Sequence, residues 1–255
     1  MPDDEKSMTL GEHLTELRRR VIICLLVTGG AFFAAFAVFF AFKKQTLALL
    51  CDPVTRQFQQ SQFVLRTLEP FEGFMVMMKL SLISSLVAVS PVIVYQIWAF
   101  IAPGLKDDEL RWAKPILASG VLLFAGGVAL CYFLVVPTVF SFFLRLNMDM
   151  GVEAAWSLDR FIHTELMMLA GFGLAFELPL VIAFLALIGL VTPEGLARRR
   201  KYAILLIVIG SAVLTPDPSA ITMLIMAVPL CVLYEASIIV VKIMASRRRK
   251  KAMAG

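Results

Sequence analysis

Apolar residues run along this chain in long uninterrupted stretches separated by short charged segments. This is neither the alternation of a half-buried strand nor the one-sided stripe of a soluble helix. The first stretch, Val21 to Phe42, is long enough as a helix to cross a hydrocarbon core of ~30 Å. Others run from about Phe74 to Ala102, Pro115 to Pro137 and Phe161 to Val191. The last, Tyr202 to Val241, is broken once, at Thr215-Pro216-Asp217-Pro218. Two prolines around an aspartate predict a tight turn with a span on either side.

The pattern therefore predicts an all-α integral membrane protein with six transmembrane helices, at about 21–42, 74–102, 115–137, 161–191, 202–214 and 220–241. The fifth span is short, about 20 Å at ~1.5 Å per residue, and the sixth meets Glu235 early. Short spans are accommodated by bilayer thinning, by shelter in an assembly, or by snorkelling of charged neighbours. Residues 43–73 and 138–160 are the loops on one side. The first of these mixes Leu47, Leu50, Phe58 and Phe63 with polar residues, which predicts short amphipathic helices on the membrane surface.

Composition agrees: 60% of residues are hydrophobic and 17% charged, more apolar surface than a soluble fold can cover with polar groups. The net charge of +5 is small for a nucleic-acid binder, and its placement carries more information than its size. Lys6 and Arg18–Arg20, Lys106, Arg111 and Lys114, Arg198–Lys201, and the tail from Lys242 to Lys251 all fall on one side of a six-span chain. Lys43, Lys44, Arg56, Arg66, Arg145 and Arg160 fall on the other. The excess marks the cytoplasmic side and puts both termini there. The acidic start and the length of the first run argue for a retained span rather than a cleaved signal.

Cofactor chemistry is not indicated. Cys24, Cys51, Cys131 and Cys231 are scattered, and His13 and His163 are expected on opposite sides, so no metal site is predicted. There is no GK[ST] phosphate loop, HExxH or GxSxG, and no enzyme is predicted.

Three segments carry candidate chemistry. At the N-terminus, Thr9 and Glu12 form a capping-box pattern that predicts a helix over 9–20. Leu10, Leu14, Leu17 and Val21 share one face, with Glu12 and Glu16 on the polar face. Glu16 can pair with Arg20 one turn on, in a surface helix whose basic residues meet lipid phosphates. After the second span, Pro103-Gly104 ends a helix; Asp107 or Asp108 can cap the next one, with Glu109 in its first turn. The alternative is an acidic site suited to the fork of an arginine, a geometry that lysine cannot copy. Inside the fourth span, Phe176-Glu177-Leu178-Pro179 sets an acid at membrane depth. Such an acid marks a pathway or partner site, or is a neutral group bonded within the bundle, with Gln96 as candidate partner. Lys79 is expected to snorkel at the outer end of its span, and Glu235 to pair with a basic neighbour.

Together these pieces resemble a known family. They are His13-Leu14-x-Glu16-Leu17-Arg18, Pro70-x-Glu72-Gly73-Phe74 with Lys79, Pro91, Tyr95-Gln96-x-Trp98-x-Phe100, Pro103-Gly104-Leu105 with Glu109, Phe176-Glu177-x-Pro179, Thr192-Pro193-Glu194, Thr215-Pro216, and Pro229 with Tyr234-Glu235. In this order they resemble TatC, the multi-spanning subunit of the twin-arginine, Sec-independent protein translocase. The resemblance implies a concave bundle in a bacterial or archaeal plasma membrane that recognises twin-arginine signal peptides of folded precursors. It implies single-span partners of the TatA and TatB kind, homo-oligomers within a hetero-complex, and transport driven by the proton-motive force. It places signal-peptide binding on Glu16, Leu17, Arg18, Phe100, Pro103, Leu105 and Glu109, and an intramembrane partner site on Glu177, with Gln96 beside it. Leu110 stands where many relatives carry a basic residue, and the turn at Thr215 differs from the Thr-Pro-Pro-Asp form, so Asp217 receives no role. The competing reading from another class is a proton-coupled solute carrier using Glu177, against which stands the lack of internal repeats.

Overall fold

A computed structural model describes residues 10–56, 63–101, 107–214 and 219–254. Thr9, Pro103, Leu105 and the turn Thr215–Pro218 lie outside the described residues. The helices are α1 (Leu10–Ala41), α2 (Lys43–Thr55), α3 (Glu72–Ile101), α4 (Asp107–Leu130), α5 (Val136–Asp149), α6 (Leu158–Ala175), α7 (Leu178–Leu187), α8 (Pro193–Arg198), α9 (Arg200–Leu214) and α10 (Ala220–Ala254). Among the described residues, five helical segments are long and apolar enough to cross a membrane: Gly11–Ala41, Glu72–Phe100, Ser119–Asp149, Leu158–Leu187 and Ala220–Ser246. The helix expected as the fifth crossing, α9, has 15 residues, about 22 Å at ~1.5 Å per residue.

The N-terminal segment and the first span form one uninterrupted helix rather than two elements. Arg18, Arg19 and Arg20 look like a boundary in sequence, yet all are good helix formers and α1 runs straight through them. Apolar residues of α1 such as Leu25, Leu26 and Phe33 stay exposed, as befits a helix with lipid around most of it. It packs chiefly on α3.

The third apolar stretch does not stop at Pro137. A π-helical turn, Cys131–Val135, precedes the proline, and the Val136 N–H reaches back to the Cys131 carbonyl. The widened turn takes up the missing proline donor, and α5 continues the helix to Asp149, into the region expected as a loop. The fourth stretch is instead split. α6 ends at Ala175, and α7 begins at Leu178 with Pro179 in its first turn. There the proline's fixed φ is tolerated and its missing N–H costs nothing.

One side of the bundle carries a polar clasp. Strand β1 (Phe63–Arg66) pairs in parallel with β2 (Ala154–Ser157), with Phe63 opposite Ala154 and Arg66 opposite Ser157. Glu72, at the start of α3, accepts the Ser157 hydroxyl at 2.6 Å and the Asp159 N–H at 2.7 Å. It also accepts the N–H groups of Leu68 and Glu69. One carboxylate thus joins the lead-in to α3 to the start of α6. Lys79, expected to snorkel, instead places Nζ 2.7 Å from both oxygens of Asp159 and ties α3 to α6. Above the core, α2 buries Leu50, Cys51 and Val54, and the Tyr132 hydroxyl donates to the Leu49 carbonyl at 2.7 Å. The core beneath combines Val76, Leu80, Val135, Val139, Leu144, Ile162, Met168 and Phe172 with Met226 and Leu230 of α10.

At the other end, Thr192 caps α8 by accepting the Gly195 N–H at 3.1 Å, with Pro193 following it and Glu194 in the first turn. The motif Thr-Pro-Glu is thus a helix start in which each residue suits its place. Tyr234 donates to the Leu196 carbonyl at 3.0 Å, and Arg200 makes a bidentate pair with Glu235 across α9 and α10.

Candidate functional site

His13, Glu16 and Arg20 of the N-terminal segment turn toward the bundle, and Leu14 and Leu17 turn away. Leu14 is 66% exposed and Leu17 40%, whereas the Glu16 and Arg20 side chains are only 19% and 21% exposed. For a helix entering a bilayer this is the favourable arrangement, since apolar side chains meet lipid and polar ones find protein partners.

Three contacts define the site. The Arg20 guanidinium donates through Nε (3.0 Å) and Nη2 to a single oxygen of Glu16, Oε1. Its third nitrogen, Nη1, donates to Gln96 Oε1 of α3 at 3.0 Å. One turn before Glu16, the His13 ring stacks on Phe100 with centroids 4.2 Å apart and planes at 20°. The other carboxylate oxygen, Glu16 Oε2, is buried and has no hydrogen-bond partner among the described residues. The indole N–H of Trp98, two residues from both Gln96 and Phe100, is likewise buried and unpartnered among them.

The structure thus sets Phe100 against His13, one turn from Glu16, and links Gln96 to Glu16 through Arg20. α3 ends at Ile101 and α4 starts at Asp107, so the backbone of Glu109 lies in the first turn of the helix that follows directly. Its side chain is outside the described residues, as are Pro103 and Leu105. Leu17 and Arg18 are exposed on the outer face of α1, away from the Glu16–Arg20 contact.

Gln96 is not the partner of Glu177. Its carbonyl oxygen is taken by Arg20, because α3 packs on α1. Glu177 sits at the break between α6 and α7, facing α4. A Cβ on Gly120 would lie 3.1 Å from Glu177 Oε2 and 2.7 Å from Leu180 Cδ1. Oε2 is buried without a partner among the described residues. No hydrogen bond among the described residues joins the two polar groups expected to form one intramembrane site.

A third acid was passed over in the sequence. Glu165 of α6 is 0% exposed, and neither carboxyl oxygen has a hydrogen-bond partner among the described residues. Its position in an apolar span was its one sequence signal. Among the described residues no group of three or more His, Cys, Asp and Glu could hold a metal ion.

A family model described as Sec-independent protein translocase protein (TatC) matches residues 12–229. The chain belongs to the TatC family. The TatC protein of Aquifex aeolicus is 37% identical over 245 residues, 96% of this chain and 98% of that protein. TatCy of Bacillus subtilis is 34% identical over 251 residues, 97% of this chain and 93% of that one. A crystal structure of the twin-arginine translocase receptor TatC superposes with a TM-score of 0.78 at 37% identity, covering 91% of this chain and 99% of that one. The chain is therefore a multi-pass helical membrane protein of a protein translocase, not an enzyme, and the solute-carrier reading gives way to it.

Proposed function

We propose that this TatC-family chain is the receptor that binds twin-arginine signal peptides of folded precursors at the cytoplasmic face of the plasma membrane. Six spans leave both termini cytoplasmic, and Glu16 and Glu109 take the paired arginines. Phe100, Pro103 and Leu105 take part in the same recognition. The observation that carries this reading is the Glu16 carboxylate: one oxygen already holds a guanidinium, and the other is buried without a partner among the described residues. A site that accepts one arginine fork is chemically suited to another.

Charge supports the assignment. The face rich in Lys and Arg repels a twin-arginine peptide unless specific acids are offered, and Glu16 and Glu109 are acids on that face. Each charge-assisted hydrogen bond there is worth about 1.5–3 kcal/mol, less where water and salt reach it. Single-span partners of the TatA and TatB kind then assemble on the loaded receptor, with Glu177 in their contact surface, and the proton-motive force drives export.

The test is photo-crosslinking of a twin-arginine precursor to the full chain in membranes. Glu16→Ala and Glu109→Ala should each weaken the crosslink while the protein still inserts. Unchanged crosslinking in both would overturn the assignment.

A further inference from the structure

The guanidinium on Glu16 belongs to the receptor itself. We infer that Arg20 is a resident stand-in for a signal arginine: it occupies Glu16 in the unloaded chain and is displaced onto Gln96 when a peptide arginine arrives. This rests on the reading of Glu16 given above and adds a competitor within the site.

The geometry suits exchange rather than permanent pairing. A structural arginine–carboxylate pair places two parallel N–H bonds on two oxygens. Here Nε and Nη2 both converge on Oε1, and Oε2 is left buried with no partner among the described residues. Oε2 thus keeps unused acceptor capacity, and a fork that displaces the groups covering it bonds an oxygen that Arg20 does not hold. Arg20 does not lose its anchorage when it yields Oε1, because Nη1 is already held by Gln96 at 3.0 Å from another helix. At no stage is the buried carboxylate left without a cation, the state that makes breaking such pairs costly. The neighbouring His13–Phe100 stack fixes α1 against α3 and keeps Glu16 and Gln96 in register while the arginines trade places.

The device also sharpens selectivity. A peptide lysine offers a compact ammonium, not a planar fork, and replaces Arg20 less well than a peptide arginine does. The occupied site thus discriminates against the lysines that are common on cytoplasmic surfaces, at the expense of some affinity.

The experiment is a binding titration on the full-length chain in lipid nanodiscs. The probes are a labelled peptide carrying two consecutive arginines before an apolar segment and its twin-lysine counterpart. Glu16→Gln should weaken arginine-peptide binding; if it does not, the reading of Glu16 itself fails, whatever Arg20 does. Arg20→Gln should tighten arginine-peptide binding by about three- to tenfold, the weight of one partly exposed ion pair with its hydrogen bonds. It should also narrow the gap between the two peptides. In a Glu16→Gln background the gain from Arg20→Gln should vanish. Should Arg20→Gln fail to fold, Arg20→Lys keeps the charge, loses the fork and should give a smaller gain of the same sign. Weaker binding in the Arg20 variants, with Glu16→Gln also weakened, would make Arg20 a positioning residue and overturn the stand-in.

Discussion

Gly120 lies directly beneath the carboxyl of Glu177, close enough that a Cβ there would stand 3.1 Å from Oε2 and 2.7 Å from Leu180 Cδ1. Glycine at this position of α4 lets the broken segment between α6 and α7 approach. Farther along α4, Gly127 does the same against Phe172 and Phe176, where an added Cβ would meet the Phe172 carbonyl oxygen at 2.7 Å. Gly126, next to it, faces open space.

These three glycines give a graded prediction. A side-chain tip can rotate away, but a backbone carbonyl cannot. Gly127→Ala should cost about 1–3 kcal/mol, as overpacking does, and Gly120→Ala less. Gly126→Ala should be neutral or stabilise by up to ~1 kcal/mol, because alanine is the better helix former. Thermal unfolding of the purified variants in one detergent measures the order, and equal effects at Gly126 and Gly127 would contradict the packing.

Glu72 predicts a different kind of loss. Its carboxylate accepts N–H or O–H donors from Leu68, Glu69, Ser157 and Asp159. Those donors belong to the lead-in to α3 and to the first turn of α6. Glu72→Ala strands them together and should lower the Tm and open the segment from β1 to α3 to protease. Glu72→Gln keeps one acceptor oxygen and should show the same change at smaller size. An unaltered cleavage pattern in Glu72→Ala would remove the carboxylate from its joining role.

The buried carboxyl of Glu165 predicts the opposite sign. It is fully buried, and both of its oxygens lack partners among the described residues. A polar group in that state costs about 1–3 kcal/mol by protein mutational standards. Glu165→Met, similar in length and apolar, should raise stability by that order, read as a higher Tm. Glu165→Gln, which keeps a polar head, should not. A lower Tm for Glu165→Met would show that the carboxyl is satisfied in the membrane.

How much of this was legible in the sequence depends on whether the cause is local. The apolar runs and the helix-starting pair Thr192-Pro193 act within a few residues and can be read directly. The continuity of α1 through Arg18–Arg20 could not, because a charge cluster at a membrane edge looks the same whether the helix stops or continues. The same holds at Pro137, where a π-helical turn decides that the helix goes on. The strands β1 and β2 pair across the chain with four residues each, too short to leave a period. At the site, the acids and Phe100 were visible, and the Glu16–Arg20 spacing was too. What Gln96 bonds was not, since that depends on α3 lying against α1. For Lys79 a signal existed and was missed: Asp159 stands at the outer end of the fourth apolar run.

Glu177 allows a last prediction, which separates polar function from packing. Its oxygen Oε2 is buried without a partner among the described residues, at a helix break where the chain is already open. A buried polar group retained in a span normally marks a contact made with something else. Glutamine preserves the shape above Gly120 and one acceptor oxygen, and adds a donor. Glu177→Gln should therefore keep most of the co-purification with the single-span partner subunits proposed above. Glu177→Ala empties the space over Gly120 and removes the acceptor, so it should lose most of that association. Glu177→Leu fills the space without the acceptor and decides between the two causes. If it behaves like glutamine, packing alone holds the partners. If it behaves like alanine, the partners are bound through the oxygen, and the unfilled position on Glu177 is the one a partner's donor occupies.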